Sequence, residues 1–565
     1  MVSATSDRGI ALRRAQGDTI RDRIEHFNED LKDINKFFPI RTSPRRADKL
    51  HHFLMSELDG LHEQPFELYN QPEKVDYLLV ENYIERQLRQ MQLDFKQDYK
   101  MAPLLPFAST LVELCEARAL VLPMDPKDAA QKLFETQVQI TGLIEKINKG
   151  SDEVTTSKAS AFRASRTIDC LRDHLKEWFG FYKGYDPSFD WWMAQPYNAV
   201  DKCLENVSAN IREKLVGIQP GNKDAIVGDP IGRDGLVYEL LAEMIPYTPE
   251  EIIAIGEQEF DWCINEMKKA SRSMGYKDDW QAALEEVKNE YVEPGKQTQL
   301  VRDLAQEAVS FVEDHKLVTV PEIAKETWQM FMMSPERQKV NPFFLGGESI
   351  IVSYPTDSMD HEAKMMSMRG NNIHFSRATV FHEMIPGHHL QMHINARHRP
   401  YRRLFDTPFW IEGWSLYWEF ILWDDDRFQK TPQNRIGMLF WRLHRCARII
   451  FSLNFHLGKM TPQECIDLLV DKVGHERATA EGEVRRSLNG DYSPLYQAGY
   501  MLGALQIYAL RKEIVDTGRM AEIDFHDRFL KENRMPIELM RALMLDRPLT
   551  ADYTPCWKFY NFRNH

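Results

Sequence analysis

Residues 381–393 read FHEMIPGHHLQMH, and the reading of the whole chain turns on them. Four histidines and one glutamate (His382, Glu383, His388, His389, His393) fall within twelve positions. Imidazole suits zinc, and a carboxylate beside a metal-activated water can serve as a general base.

In the H-E-x-x-H pattern of zinc proteases, both histidines lie one turn apart on one helix face. Here the position four after His382 is Pro386, and the next histidines come six and seven positions on. On a straight helix seven residues turn about 700°, so His389 would share the azimuth of His382 but sit roughly 10 Å along the axis. That is too far for one ion with Zn–N bonds of about 2 Å. Pro386 removes a helical hydrogen bond, and Gly387 lets the backbone bend further. The stretch therefore predicts a kinked metal helix in which a bulge folds His388 under His382. His388 is the favoured second ligand and His389 the alternative. Without a metal, the same stretch is a His-rich helix.

Residues 407–424 read TPFWIEGWSLYWEFILWD. Thr407 and Pro408 form a helix start, with an N-cap and a proline in the first turn. Glu412 and Glu419 are seven apart and share a face, on a helix otherwise dominated by aromatic residues. A carboxylate on so apolar a helix is costly to bury unless paired or metal-bound. Glu412 is the expected third ligand, with Glu419 orienting a ligand histidine. The alternative is a wet helix face carrying both.

HEMIPGHHLQ followed by EGWSLYWE resembles the hallmark of the "domain of unknown function 885" family, helical zincin-like proteins. The likeness continues in YQAGYMLGALQIYALRKE (496–513) and FHDRFLKENRMPIELMRALM (525–544), and covers roughly residues 225–545. It implies a site of two histidines, a glutamate from a second helix and a glutamate base. The chain departs from the family pattern in three places. Ser452-Leu453-Asn454-Phe455-His456 stands where Asp-x-Gly-x-His is expected, and Arg486-Ser487 where Arg-Tyr is expected. The usual proline- and glycine-rich segment before His382 is missing.

With 565 residues the chain can build a large core, usually in more than one lobe. Its 43% hydrophobic and 28% charged residues fit a globular protein. A net charge of −14 argues against nucleic acid or an anionic membrane as partner. Seven scattered cysteines without C-x-x-C pairs suggest free thiols in a reducing compartment. The first residues lack an apolar signal region and no run approaches a membrane span, so a cytoplasmic location is expected.

Helical periodicity runs over residues 18–38, 73–99, 126–149, 158–184, 248–274, 279–291, 296–316 and 435–457. Thr248-Pro249-Glu250-Glu251 and Thr461-Pro462-Gln463-Glu464 read as capping boxes. Residues 187–196 read as an aromatic loop or short helix, with Trp191 and Trp192 in the core or lining a cleft. GDPIGRDG (228–235) lacks the phosphate-loop pattern and reads as a connector between lobes. Residues 335–355 around Gly346-Gly347 fit a hairpin or edge strands able to pair with an extended substrate.

The expected fold is mainly α: a large two-lobed, zincin-like helical fold with a deep central cleft and a small β element before the metal helix. Residues 1–220 form the N-terminal lobe and 221–565 the catalytic lobe. The expected chemistry is hydrolysis of an amide in a short peptide or peptide-like molecule with one zinc ion and Glu383 as base. Tyr500 is the first candidate oxyanion donor, ahead of Arg486 and His456, and Arg486 is also suited to a substrate carboxylate. Two other readings stand beside this one: a zinc enzyme for a small-molecule amide or C–N bond in a biosynthetic pathway, and a non-catalytic helical binding protein. An intact Glu383 counts against the last.

Overall fold

A computed structural model describes residues 19–222, 225–338, 343–490 and 492–563. Of the described residues 71% are helical, and among them lies one small two-stranded sheet. Local signals set many helix starts. The capping boxes at Thr248 and Thr461 both form, and Thr407 caps Pro408–Asp424 by accepting from the Phe409 amide. No helix among the described residues is long and apolar enough to cross a membrane.

Two large hydrophobic cores organise the helices, and a third, small cluster of Val301, Leu304, Phe344, Ile350, Val352, Val380 and Met384 sits at the sheet. The smaller is built from residues 101–216, with Ile40 added. The larger gathers residues 236–559 together with Ile20, Phe27, Leu54, Val75 and their neighbours. The smaller core ends at Val216, and the first two helices pack into the larger one. The 31-residue helix Gln71–Met101, roughly 46 Å long, joins the two. Val75, Leu78 and Ile84 near its start belong to the larger core, and Met101 at its end to the smaller. Fully buried Arg402 fastens this arrangement, with Nε on Asp76 at 2.7 Å and Nη1 on the Glu532 carboxylate at 3.0 Å.

Between the cores runs a cleft of about 1940 Å³, open to solvent. One wall carries Phe162, Arg163 and Cys170, and the other His382, Glu412 and Tyr500. The second wall rests on two helices, Pro408–Asp424 and Tyr496–Ile514, that touch backbone to backbone. A Cβ on Gly413 would lie 2.7 Å from the Gly503 backbone, and one on Gly503 would lie 2.1 Å from the Phe409 carbonyl oxygen. Only glycine fits at this crossing.

Several sequence expectations change here. Ser349–Val352 pairs in parallel with Gln329–Met332, a strand that lies before the expected β segment 335–355. The hairpin is reduced to one antiparallel bridge, Leu345 to Ile351. Residues 187–196 open the 25-residue helix Pro187–Ile211. Trp191 is 83% exposed and Trp192 41%, so neither packs in a core, and neither lines the cleft. Gly228 of the connector lines the cleft and takes the left-handed region against Phe455.

Candidate metal centre

The helix Ile373–Glu383 ends one residue after His382, at Glu383. Met384 leaves helical geometry (φ −108°, ψ −112°), a cis Ile385–Pro386 peptide follows, and a new helix, His388–Asn395, begins after Gly387. Two helices thus replace the expected single kinked one. Proline offers no amide to continue the first helix. Gly387 comes so close to the first helix that a Cβ there would lie 1.8 Å from the His382 carbonyl oxygen. The reversal brings the His382 and His388 rings to 5.0 Å between centroids.

Gln391 and Trp414 lock this corner to the Glu412 helix. Gln391 Nε2 donates to the Trp410 and Ile411 carbonyls at 3.2 Å, and Trp414 Nε1 donates to the Pro386 carbonyl at 2.9 Å. Glu412 Oε2 then lies 3.1 Å from His388 Nε2 and 3.7 Å from His382 Nε2. All three side chains are buried, and one ligand atom from each falls within 4.8 Å of the others. Among the described residues this is the one such group of histidine, cysteine and carboxylate side chains.

The donor set fits a zinc ion: two imidazole nitrogens and one carboxylate oxygen, with room for water on the cleft side. Glu419 Oε1 accepts from His382 Nδ1 at 3.0 Å, which fixes the ring and leaves Nε2 facing Glu412. Electrostatics agree. Burial opposes charge on His382, but Glu412, Glu419 and Glu383 outweigh it and raise its pKa to about 9. Burial likewise works against the Glu412 carboxylate, yet the facing His388 and His382 hold its pKa well below the usual range. The pocket favours positive charge.

His389 turns away. Its Nδ1 faces the Gly347 and Glu348 carbonyl oxygens at 3.3 and 3.2 Å, and its Nε2 the Ala324 carbonyl oxygen at 3.0 Å. It ties the sheet segment to the metal corner. Glu383 lines the cleft, and Gly346 crosses it so closely that a Cβ there would meet its carboxylate at 2.2 Å. Tyr500 also lines the cleft, its ring stacked on His382 at 6.2 Å. Burial and Glu412 push its hydroxyl pKa up to about 12, so it remains a donor at neutral pH. Arg486 lines the cleft with its guanidinium 4.8 Å from the Tyr492 ring centre.

His456 does not join them. It sits at the end of its helix beneath the connector, with Nδ1 3.5 Å from the Ile231 amide, and is absent from the cleft wall. Burial lowers its pKa to about 4. Its candidacy as an oxyanion donor is withdrawn on geometry. Sequence reasoning missed Tyr496, whose hydroxyl donates to Glu412 Oε1, and gave no role to Arg445 and Arg448. The available signal was spacing: Tyr496 and Tyr500 are four apart on one helix, and Arg445 and Arg448 three apart on another.

No curated protein matches the sequence. Solved structures share the fold, two of them candidate lipoproteins. One is a candidate lipoprotein of unknown function from Shewanella oneidensis, at TM-score 0.68 and 17% identity over 94% of this chain and 100% of that one. The other is a candidate lipoprotein from Colwellia psychrerythraea, at TM-score 0.60 and 15% identity over 94% and 99%. The model of the DUF885 family, bacterial proteins of unknown function, matches residues 40–544, and the chain belongs to that family.

Proposed function

We propose that the chain is a zinc-dependent, peptidase-like metallohydrolase cleaving an amide bond in a short peptide or peptide-like substrate. The observation that carries this is the convergence of buried His382, His388 and Glu412 within 4.8 Å at the wall of an open cleft. Those three residues would hold the ion, which supplies a Lewis acid and an acidified water when bound. Glu383 takes the proton of the attacking water and passes it to the leaving nitrogen. Tyr500 donates its hydroxyl hydrogen to the oxygen on which charge develops. Glu419 and Tyr496 position His382 and Glu412.

A zinc enzyme for a small-molecule amide or C–N bond is the second reading. The departures from the family pattern at 452–456 and at Ser487 favour it, as does the absence of His456 from the cleft. The compartment belongs to the same proposal: seven unbridged cysteines support a reducing cytoplasm. The net charge of −14 supports a partner that is neither nucleic acid nor membrane.

Elemental analysis after zinc loading, followed by a screen of short peptides and N-acyl compounds, tests the proposal. One zinc per chain is expected, with hydrolysis that Glu383→Gln slows by about 10²–10⁴-fold while zinc stays bound. No zinc under any loading condition overturns it.

A further inference from the structure

Three guanidinium groups line the cleft beside the metal corner: Arg445 and Arg448 from the helix Pro432–His456, and Arg486 from Arg477–Leu488. Arg445 is 8% exposed and Arg448 2%, and burying a charge is costly unless it is paired. Neighbouring Arg442 shows ordinary pairing, 3.0 Å from Glu259 and stacked on Trp262 and Phe420. The cleft-facing trio differs. Arg448 holds Glu483 at 2.6 Å, but Arg445 has no carboxylate within ion-pair reach among the described residues. Arg445 instead stands over the Trp441 and Tyr500 rings, at 5.1 and 4.9 Å. Arg445 Nε, Arg448 Nη1 and Arg486 Nε are buried without a hydrogen-bond partner. Glu412, Glu419 and Glu383 lie toward the metal corner, where the proposed ion offsets them.

The position of the trio is as telling as its charge. The Tyr500 ring stacks on His382, while the guanidiniums of Arg445 and Arg448 lie over it at 4.9 and 4.4 Å. The excess positive charge is therefore one tyrosine ring from the metal ligands. A planar guanidinium fork recognises carboxylate or phosphate, and one residue of an extended substrate spans this short a gap.

We propose that Arg445, Arg448 and Arg486 form a subsite for the free carboxylate of the substrate, so that the bond cleaved joins a terminal, carboxylate-bearing residue to an acyl group. The substrate class is then a peptide cut at its carboxyl end or an N-acyl amino acid. Water oxygen adds to the acyl carbon, the C–N bond breaks, and the nitrogen takes the proton, leaving an acid and a free amino acid. Bond cleavage rests on the zinc-hydrolase reading; carboxylate capture does not.

Calorimetry with N-acetyl-L-phenylalanine and its amide, and with the N-acetylglycine pair, tests the subsite on zinc-loaded and chelator-stripped protein. Each acid is expected to bind at least about tenfold tighter than its amide in both forms, from a charge-assisted contact of ordinary strength. Arg445→Gln and Arg486→Gln, each checked for an unchanged melting profile, are expected to bring that ratio near one. Equal binding of acid and amide, no binding of either, or a preference that survives both substitutions overturns the subsite. Inorganic phosphate that binds more tightly than the acids overturns the carboxylate assignment. A preserved acid preference in a protein that takes up no zinc leaves the subsite standing and sinks the hydrolase reading alone.

Discussion

Tyr500 lies near two buried clusters with similar ingredients and opposite behaviour. On one side are His382 and His388 with Glu412 and Glu419; on the other are His444 and His475 with Glu483. In the first, each imidazole faces a carboxylate, and the His382 pKa rises to about 9. In the second, the imidazoles bond each other at 2.8 Å and Arg448 takes the carboxylate. Burial, with Arg448 adding to it at His444, drives the His444 pKa well below its usual value, and burial drives His475 to about 3. Two histidines and a glutamate do not make a cation site; the charge facing them decides. Carboxylates around the first cluster invite a cation, and arginines around the second expel one.

The largest expected effect is on metal content. Glu412→Ala should lose essentially all zinc, whereas His444→Gln should retain about one ion per chain by mass spectrometry. The opposite pattern would put the metal in the second cluster. Acid should strike the second cluster and its like next. His475, His456 and His526 have folded pKa values of about 3, 4 and 4, below the roughly 6.5 of the unfolded chain. Their stabilisation is complete above pH 6.5 and is lost as pH falls toward those folded values. At pH 5 each should already cost about 2 kcal/mol relative to neutral pH. Urea melts of metal-free protein at pH 7 and pH 5 would read this, and identical midpoints would contradict it. The smallest effect separates holding a ligand from being one. Glu419→Gln should weaken zinc binding only about 10–100-fold in a chelator competition, because it removes the group that orients His382.

The convergence of His382, His388 and Glu412 was legible because each half of the candidate site is local. HEMIPGHH and EGWSLYWE carry the residues within a few turns, and capped starts such as Thr248 and Thr407 announce their helices. Helix geometry ruled out one straight helix for either His388 or His389 as partner of His382, but it had no means of choosing between a bulge and a full break. That choice belongs to Gly387 and to the Trp414 hydrogen bond arriving from 28 residues away. Tyr496 meets Glu412 across 84 residues, so no spacing rule joins them. His456 had a plausible motif position but lies at the wrong end of its helix. Trp191 and Trp192 misled because aromatic content suggests burial, whereas the start of a long helix left them in solvent.

The crossing of Gly413 and Gly503 places Glu412 and Tyr500 on two rods with no side-chain layer between them. A soft layer lets helices slide; bare backbones in contact do not. The carboxylate and the phenol are therefore held to a common ruler. In directed evolution, positions 413 and 503 would stay fixed, because any side chain there would meet backbone.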